Sequence, residues 1–285
     1  MLTVVGTIPE GPPQVVEGPV SLDGERLFVA GQGFPVNRGT AALLAAAAQV
    51  ASWLGEPPPH ACLAGDIGVG DGSLKLYAHL VKRVRDWNTR AIAFHYILPD
   101  VDWHNRVLLA LEDLAARPLL IADAGYMYVA KMSGQAQAYE LFTPDVGELA
   151  FLADEEAPHP FYTRGFLLKE ENRVEELIAR AFRNGDAARC LLVKGSNDFV
   201  ATQEGILSVI QEPVVEAMEA IGGTGDTLTG MASVLVASGM AVEKACESAA
   251  KANRLAGKLA HPTPATQINK IIEKIPEALK EVLSI

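Results

Sequence analysis

The sequence has few cysteines and no run of basic residues. Its three cysteines, Cys62, Cys190 and Cys246, lie far apart in apolar stretches. This pattern predicts buried, reduced thiols and excludes a disulfide framework. The net charge is −11, from 24 Lys+Arg against 35 Asp+Glu. An acidic chain without a basic patch does not predict a nucleic-acid partner.

Long apolar segments are also absent. The most apolar stretch, residues 41–54, includes Gln49 and Ser52 and is too short to span a membrane. The first eleven residues have no basic region and no long apolar core, so they do not predict a secretory signal. We therefore expect a cytoplasmic protein with no membrane partner.

Two further classes of site lack their sequence signals. The six histidines show no pairing at helix or strand spacing, which argues against a structural zinc site or a His-Glu-x-x-His motif. The chain also has no Gly-x-Ser-x-Gly sequence, the turn that carries the nucleophile in α/β-hydrolases.

The segments that are present alternate between strand and helix. Strands are predicted at residues 26–31, 61–64, 91–95, 119–122, 139–142 and 190–193, with a hairpin at 199–202 and 207–210. Helices are predicted at residues 41–54 (capped by Thr40), 73–84, 103–116, 170–182, 226–238, 241–260 and 266–283, with loops at 56–59 and 154–160. This order predicts one α/β domain over residues 1–285, a doubly wound, mostly parallel sheet with helices on both faces.

In such a sheet, ligands bind beyond the carboxyl ends of the strands. The polar and glycine residues predicted to lie there are Gly31, Gly65, Asp66, Asp123, Glu148, Lys194 and Gly195. We therefore expect the functional site at this edge of the sheet.

The most informative motif is Gly222-Gly223-Thr224-Gly225-Asp226, which runs directly into an apolar helix. Helix N-termini offer unpaired N–H groups and a positive dipole end, and glycine lets the backbone approach a phosphate closely. A carboxylate beside an anion site is explained if Asp226 is a general base in phosphoryl transfer. The alternative is a tight turn with a first-turn acid that the helix dipole favours.

A second motif, Thr143-Pro144-Asp145-Val146-Gly147-Glu148, follows a strand. Its carboxylates, Asp145 and Glu148, could hold Mg²⁺ beside a phosphate. They could equally be the acids of an ordinary helix start.

Three weaker candidates also follow strands. Gly65, Asp66 and Gly68 belong to a glycine-rich loop that could approach a substrate, although it matches neither the dinucleotide fingerprint nor the P-loop. In the segment Lys194-Gly195-Ser196-Asn197, the lysine could neutralise a phosphate and Asn197 could hydrogen-bond a ligand; the alternative is a solvated lysine. Asp123 could bind a substrate hydroxyl or cap the next helix.

Taken in order, these segments resemble the ribokinase-like superfamily. Gly223–Asp226 is similar to its Gly-x-Gly-Asp anion hole and base, Thr143–Glu148 to its Thr-Pro-x-x-x-Glu segment, and Lys194-Gly195 to its Lys-Gly pair. Within the superfamily, the sequence most resembles the ATP- or ADP-dependent NAD(P)HX dehydratases, also called carbohydrate kinases. Their Gly-Gly-Thr-Gly-Asp-Val-Leu-Ala-Gly is nearly reproduced by residues 222–230.

The chain departs from the dehydratase pattern in three places. Asp145 and Val146 replace a usual His-Pro pair, Gly65–Gly70 stands for a Gly-Pro-Gly-Leu-Gly loop, and Asn253 stands where His-Gly is common. The nucleotide half therefore matches better than the substrate half.

The resemblance implies a nucleotide-dependent enzyme that uses ATP or ADP and Mg²⁺ to phosphorylate a metabolite hydroxyl. Asp226 would be the base. Nucleotide would lie on Gly222, Gly223, Thr224, Gly225, Lys194, Gly195, Asn197 and Asn253. In a dehydratase the phosphorylated carbinol then expels phosphate, whereas a small-molecule kinase releases the phosphoester.

A third alternative is a nucleotide or metabolite sensor without turnover, against which the intact Asp226 argues. We also expect the protein to act on a small-molecule metabolite and to form a homo-oligomer.

Overall fold

The computed structural model describes residues 1–156 and 173–283. The strands are β1 (Leu2–Ile8), β2 (Val16–Asp23), β3 (Arg26–Val29), β4 (Gln32–Pro35), β5 (His60–Gly65), β6 (Ala91–His95), β7 (Leu119–Ala122), β8 (Leu141–Phe142), β9 (Cys190–Val193), β10 (Asp198–Thr202) and β11 (Gly205–Ile210). The helices are α1 (Gly39–Leu54), α2 (Asp71–Arg83), α3 (Val101–Glu112), α4 (Gly125–Met132), α5 (Val146–Ala153), α6 (Val174–Arg183), α7 (Thr224–Ala237), α8 (Val242–Ala260), α9 (Ile268–Ile272) and α10 (Ile275–Leu283).

All the strands join one sheet in the order β11-β10-β9-β8-β7-β6-β1-β5-β2-β3-β4. The central strands β5, β1, β6, β7, β8 and β9 are parallel. Antiparallel strands extend both edges, β10 and β11 at one and β2 to β4 at the other. The sheet is therefore α/β, mostly parallel, as predicted.

The sheet separates two apolar cores. Successive residues of β1 face opposite sides, so Val4 packs with α1, α7 and α8 and Val5 packs with α2 to α6. All seven residues of β1 are buried, as expected for a parallel strand covered on both faces. Among the described residues, no helix combines the length and apolarity needed to cross a membrane.

The sequence analysis missed strand β1 and assigned the strand predicted at residues 26–31 to the parallel sheet. Residues 2–8 form the central strand β1, which the pattern did not identify. The strand predicted at 26–31 exists as β3 but pairs antiparallel with β2 and β4 outside the parallel core. Helix α1, residues 39–54, connects this antiparallel edge to β5.

Other boundaries also needed correction. Thr40 does not cap α1, because its hydroxyl donates to the carbonyl of Thr7 inside the molecule. The helix predicted at 266–283 is two helices, since the ring of Pro276 cannot donate to the preceding turn. The predicted helix 170–182 begins, and the predicted loop 154–160 ends, outside the described residues; α6 covers the rest of that helix.

The three cysteines are buried free thiols, which confirms the prediction made from their surroundings. The structure also adds the short helices α4 and α5, which the sequence analysis had offered only as alternatives, as a helix after Asp123 and a helix start at Asp145 and Glu148.

Helices α1 and α7 touch through their backbones at Gly230. A Cβ atom added there would collide with the backbone carbonyl of Leu43. This close approach brings the first turns of both helices, at Gly39 and Asp226, to the same point at the carboxyl edge of the sheet. The packing of two helices thus places the site.

Gly230→Ala is expected to lower the free energy of unfolding by at least about 2 kcal/mol, because the added methyl group overpacks against a rigid carbonyl. Helix propensity alone predicts the opposite sign, a gain of about 1 kcal/mol. Chemical denaturation measures the difference. Gly257→Ala is the control, because its methyl group would meet the flexible Met218 side chain and should cost less. A stabilised Gly230→Ala variant would contradict the close approach.

Candidate active site

A cleft of about 1050 Å³ opens at the carboxyl ends of β6, β7 and β9 and at the start of α7. The predicted site residues that line it are Asp123, Asp145, Glu148, Lys194, Gly195, Asn197, Gly223, Thr224, Gly225, Asp226 and Asn253. The structure therefore brings most of the predicted residues together, at the edge where a doubly wound sheet binds ligands.

The glycine motif forms the turn that begins α7. Gly223 is the N-cap and has a φ of 102°, a left-handed conformation that favours glycine. A Cβ atom on Gly223 would come 3.0 Å from Ile268 Cγ1 and 3.3 Å from Arg38 Cα. Because the first N–H groups of a helix have no partner within it, this turn presents donors to the cleft.

Asp226 lies in the first turn of α7, and its side chain is 13% exposed. The backbone N–H of Gly39 donates to Oδ2 at 2.6 Å, and Oδ1 lies 3.1 Å from His95 Nε2. Burial would raise the pKa of Asp226, but the hydrogen bond and charge of His95, the charge of Lys194 and the hydrogen bond from Gly39 together lower that pKa below its usual value. The carboxylate is therefore held ionised and oriented.

His95 is a site residue that the sequence analysis missed. It ends β6 and is only 1% exposed. Its Nδ1 lies 2.9 Å from Thr40 Oγ1, and its Nε2 lies 3.7 Å from Asp123 Oδ2 as well as facing Asp226. The sequence did offer one signal: His95 ends a predicted parallel strand, and the carboxyl ends of parallel strands lie together at one edge of the sheet.

Asp123 and Lys194 form a buried ion pair. Lys194 Nζ donates to both oxygens of Asp123 at 2.9 Å, and Thr229 Oγ1 donates to Oδ2 at 2.6 Å. Burial would lower the pKa of Lys194, but the carboxylates of Asp123 and Glu148 raise it above its ordinary value. Asp123 is thus committed to internal contacts, and its predicted role toward substrate stays a prediction.

The spacing of three of these groups would also suit a metal. Among the described residues, ligand atoms of His95, Asp123 and Asp226 lie within 4.8 Å of one another. The ammonium group of Lys194 already neutralises Asp123, and Gly39 occupies one oxygen of Asp226. The hydrogen bonds therefore explain the cluster without a metal.

Asp145 and Glu148 form a capping box at the start of α5. Glu148 N–H donates to Asp145 Oδ1 at 2.7 Å, and Asp145 N–H donates to Glu148 Oε2 at 2.8 Å. This is the helix-start alternative, and one oxygen of each carboxylate remains free to face the cleft. Burial raises the pKa of Glu148 to about 8; Lys194 opposes the rise, and Asp123 and Asp145 add to it.

The loop after β9 is held by a buried arginine. Arg254 donates to Asp198 Oδ2 at 2.7 Å, to the Gly195 carbonyl at 3.1 Å and to the Ser196 carbonyl at 2.8 Å. This clamp fixes Gly195 and Asn197 on the cleft wall.

Asn253 joins α8 to the glycine turn. Its Nδ2 donates to the Thr224 carbonyl at 3.1 Å, and its Oδ1 accepts from Thr227 Oγ1 at 2.8 Å. Both bonds hold the first turn of α7 rather than leaving the amide free for a ligand.

The glycine-rich loop at 65–72 does not line the cleft. Asp66 instead organises its own loop: Oδ1 accepts from the N–H groups of Gly68, Val69 and Gly70, and Oδ2 accepts from the N–H and hydroxyl of Ser73. The predicted substrate role of Gly65, Asp66 and Gly68 stays a prediction.

Tyr96 is a second residue that the sequence analysis missed. It lines the cleft, is 50% exposed and has a φ of 54°, which is unusual for a residue other than glycine. Thr7 Oγ1 donates to its carbonyl at 2.6 Å, and its ring meets the His95 ring edge-on at 4.4 Å. The strained backbone thus holds an aromatic ring beside Asp226.

Together, the mostly parallel sheet, the glycine turn with its donors and the ionised Asp226 define the class of α/β enzymes whose ligand site lies at a helix N-terminus. The family model of NAD(P)H-hydrate dehydratases matches residues 100–277. The chain belongs to this family of enzymes.

Two curated proteins are similar to the chain in sequence. The chain is 43% identical over 220 residues to an uncharacterised protein of Methanocaldococcus jannaschii, covering 77% of this chain and 90% of that protein. It is 38% identical over 111 residues to the bifunctional NAD(P)H-hydrate repair enzyme of Hyperthermus butylicus, covering 37% of this chain and 20% of that enzyme.

Solved structures share the fold. The ADP/ATP-dependent NAD(P)H-hydrate dehydratase of Bacillus subtilis, co-crystallised with ATP/Mg²⁺ and soaked with CoA, has a TM-score of 0.59 at 17% identity, covering 99% of this chain and 92% of that chain. A phosphofructokinase-2 mutant of Escherichia coli has a TM-score of 0.57 at 14% identity, covering 98% and 100%. At these identities the likeness shows the ribokinase-like fold alone.

Asp66→Asn is expected to destabilise the protein at neutral pH by about 1–3 kcal/mol, because it weakens charge-assisted hydrogen bonds. Burial would raise the pKa of Asp66, but the bonds from Gly70, Ser73 and Gly68 lower it. Because the pKa of Asp66 is lower in the folded state, its carboxylate stabilises the protein at pH values above the unfolded-state pKa of about 3.9. This stabilisation is lost as the pH falls below that value.

The gap between wild type and Asp66→Asn should therefore narrow below about pH 4. Denaturant unfolding across pH checks this result, with the exposed neighbour Asp71→Asn as control. A gap that stays constant down to acid pH would show that the Asp66 charge does not stabilise the loop.

Proposed function

We propose that this enzyme restores hydrated NAD(P)H by nucleotide-dependent dehydration, with ATP or ADP as phosphoryl donor. The observation that carries the proposal is the ionised, oriented Asp226 beside the N–H donors of residues 223–226. Membership of the dehydratase family names the reaction, and the site supplies the groups that phosphoryl transfer requires.

The residues of the chain would divide the reaction between them. Asp226 accepts the proton of the substrate hydroxyl. The hydroxyl oxygen attacks the terminal phosphorus of the nucleotide, and the bond from that phosphorus to the rest of the nucleotide breaks. The N–H groups of residues 223–226 and the dipole of α7 stabilise charge on the transferring phosphoryl group. The phosphorylated carbinol then loses phosphate, and loss of a proton from the adjacent carbon completes the dehydration.

The free oxygens of Asp145 and Glu148 fit a hydrated Mg²⁺ ion. Each carboxylate uses one oxygen in the capping box, and both residues line the cleft, so the second oxygens are the candidates to hold the ion. Mg²⁺ prefers oxygen ligands and keeps several waters, so two carboxylate oxygens are enough to attract it. When bound, it would neutralise charge on the nucleotide phosphates.

Kinase chemistry is the second outcome that the same site would support. Phosphofructokinase-2 shares the fold, and transfer to a hydroxyl is common to both reactions. The outcomes differ in the fate of the phosphoester, and the family match favours expulsion of phosphate. A sensor without turnover is disfavoured, because a pure binder gains little from an ionised Asp226 there.

Incubation with hydrated NADH, Mg²⁺ and either ATP or ADP tests the proposal. Recovery of NADH absorbance with one inorganic phosphate per turnover is the expected result. A stable phosphoester would instead support the kinase outcome. Neither product, under conditions in which a known dehydratase is active, would overturn the proposal.

Asp226→Asn should lower turnover at least about 10²-fold, the usual scale for loss of a general base. Nucleotide binding should stay near wild type or tighten, because a repelling charge is removed. The exposed first-turn acid of α3, Asp102, supplies a control variant, Asp102→Asn, that should keep full activity. Near-normal turnover of Asp226→Asn would show that Asp226 is not the base.

Glu148→Gln should raise the Mg²⁺ concentration needed for half-maximal activity, because the amide keeps the capping hydrogen bond but, unlike the carboxyl group, cannot lose a proton when the cation binds. Asp145→Asn likewise keeps the N-cap. Asp145→Asn should relax the Mg²⁺ dependence if the Asp145 charge repels the nucleotide phosphates more strongly than it attracts the cation. Magnesium titrations of activity measure both changes, and unchanged profiles in both variants would leave this segment only a helix start.

The cytoplasmic location and the homo-oligomeric state remain predictions. Three buried free thiols are consistent with a reducing compartment.

A further inference from the structure

The hydrogen-bond partners of His95 indicate which of its ring nitrogens carry protons. Thr40 Oγ1 donates its single proton to the Thr7 carbonyl at 2.7 Å, so it can only accept from the ring. His95 Nδ1, 2.9 Å away, therefore carries a proton. On the other side of the ring, Nε2 faces Asp226 Oδ1 at 3.1 Å and Asp123 Oδ2 at 3.7 Å.

Both partners of Nε2 are carboxylate oxygens, which only accept hydrogen bonds when ionised. A bare ring nitrogen would set its lone pair against theirs in a buried site, where such repulsion is strong. Hydrogen bonding to these neighbours therefore calls for a proton on Nε2 as well as on Nδ1.

His104 shows that burial alone does not produce this charge. Its Nδ1 lies 3.0 Å from Ser133 Oγ, which donates to the Ala130 carbonyl at 3.1 Å, so this Nδ1 also carries a proton. Its Nε2, however, lies 2.7 Å from the hydroxyl of Tyr139, which can donate to it. The neutral ring satisfies every partner, and burial lowers the pKa of His104 to about 4.

The two histidines thus differ at Nε2, which faces two carboxylates in His95 and a phenol in His104. The charged and titratable groups that face His95 are Asp226 from α7 and Asp123 from the end of β7, with Lys194 bonded behind Asp123. Tyr96 packs edge-on against the ring from its own segment.

We propose that His95 is a cationic positioning residue for Asp226: its imidazolium fixes one oxygen of the carboxylate while Gly39 fixes the other. This inference rests on the proposed role of Asp226 as base. Because both ring nitrogens already hold protons, His95 cannot accept the proton that Asp226 removes from substrate. That proton stays on Asp226 until it leaves with phosphate or to solvent, so the base works as a single carboxylate rather than as a relay.

Nitrogen NMR of the six histidines in the full-length protein tests the charge without any activity assay. At pH 7 the expected spectrum shows both nitrogens of His95 protonated and one nitrogen of His104 protonated. The His95→Gln variant assigns the signal, and Asp226→Asn should reduce the charged fraction of His95. A neutral His95 in the wild type would overturn the proposal. If His95→Gln does not fold, the response to Asp226→Asn supplies the assignment.

The pH profile of turnover tests the positioning role. His95 lowers the pKa of Asp226, so His95→Gln should move the acid limb of the profile to higher pH by about one unit, a tenfold loss at the acid end. The KM for nucleotide should change less than about twofold, because the substitution alters the ionisation of Asp226 and not the groups that bind nucleotide. His104→Gln is the matched control and should leave the limb in place.

An unshifted limb in His95→Gln, with the imidazolium present by NMR, would overturn the positioning role. If the enzyme does not dehydrate hydrated NADH, the NMR result still decides the charge of His95. The failure of the proposed function and the failure of this inference therefore give different results.

Discussion

The hydrogen bond from Gly39 N–H to Asp226 joins the first turns of two helices whose residues lie 187 positions apart in the chain. It forms only because Gly230 lets the backbones of α1 and α7 touch. The next residue, Thr40, reaches both β1 and His95 through its hydroxyl. One backbone contact thus fixes the carboxylate, the ring beside it and the turn that presents donors to the cleft.

The electrostatics of the cleft follow from pairing buried charges. Lys194 is bound to Asp123, and His95 faces Asp226, so each of these two carboxylates has a basic side chain beside it. Leaving a buried charge unpaired is costly, which explains why these groups occur as a network. An acidic protein can still bind an anion here, because the donors are backbone N–H groups at a helix N-terminus rather than a basic surface.

The sequence was most informative where local chemistry decides structure. The glycine-rich turn before α7 and the apolar strands β6, β7 and β9 were all predicted from their own residues. Asp123 and Lys194 were placed at the correct edge of the sheet because parallel strands end together. The capping box of Asp145 and Glu148 was foreseen only as the alternative to a metal site.

Other features depend on contacts distant in sequence and could not be predicted. β1 is flanked by β5 and β6, and nothing local shows that residues 2–8 form the central strand. His95 was recognised as a histidine without partners, since its carboxylate neighbours come from β7 and α7. The contacts of Asp66 are local, but they depend on left-handed backbone angles at Gly68 and Gly70 that the sequence analysis did not predict, and its role toward substrate stays a prediction.

A crystal structure with Mg²⁺ and a non-hydrolysable ATP analogue tests the central claim most directly. The account predicts the terminal phosphate within hydrogen-bond distance of the N–H groups of residues 223–226, with Asp226 still held by Gly39 and His95. Phosphates bound elsewhere, for example at the 65–72 loop, would contradict it. So would an Asp226 side chain that turned away from both partners when the nucleotide bound.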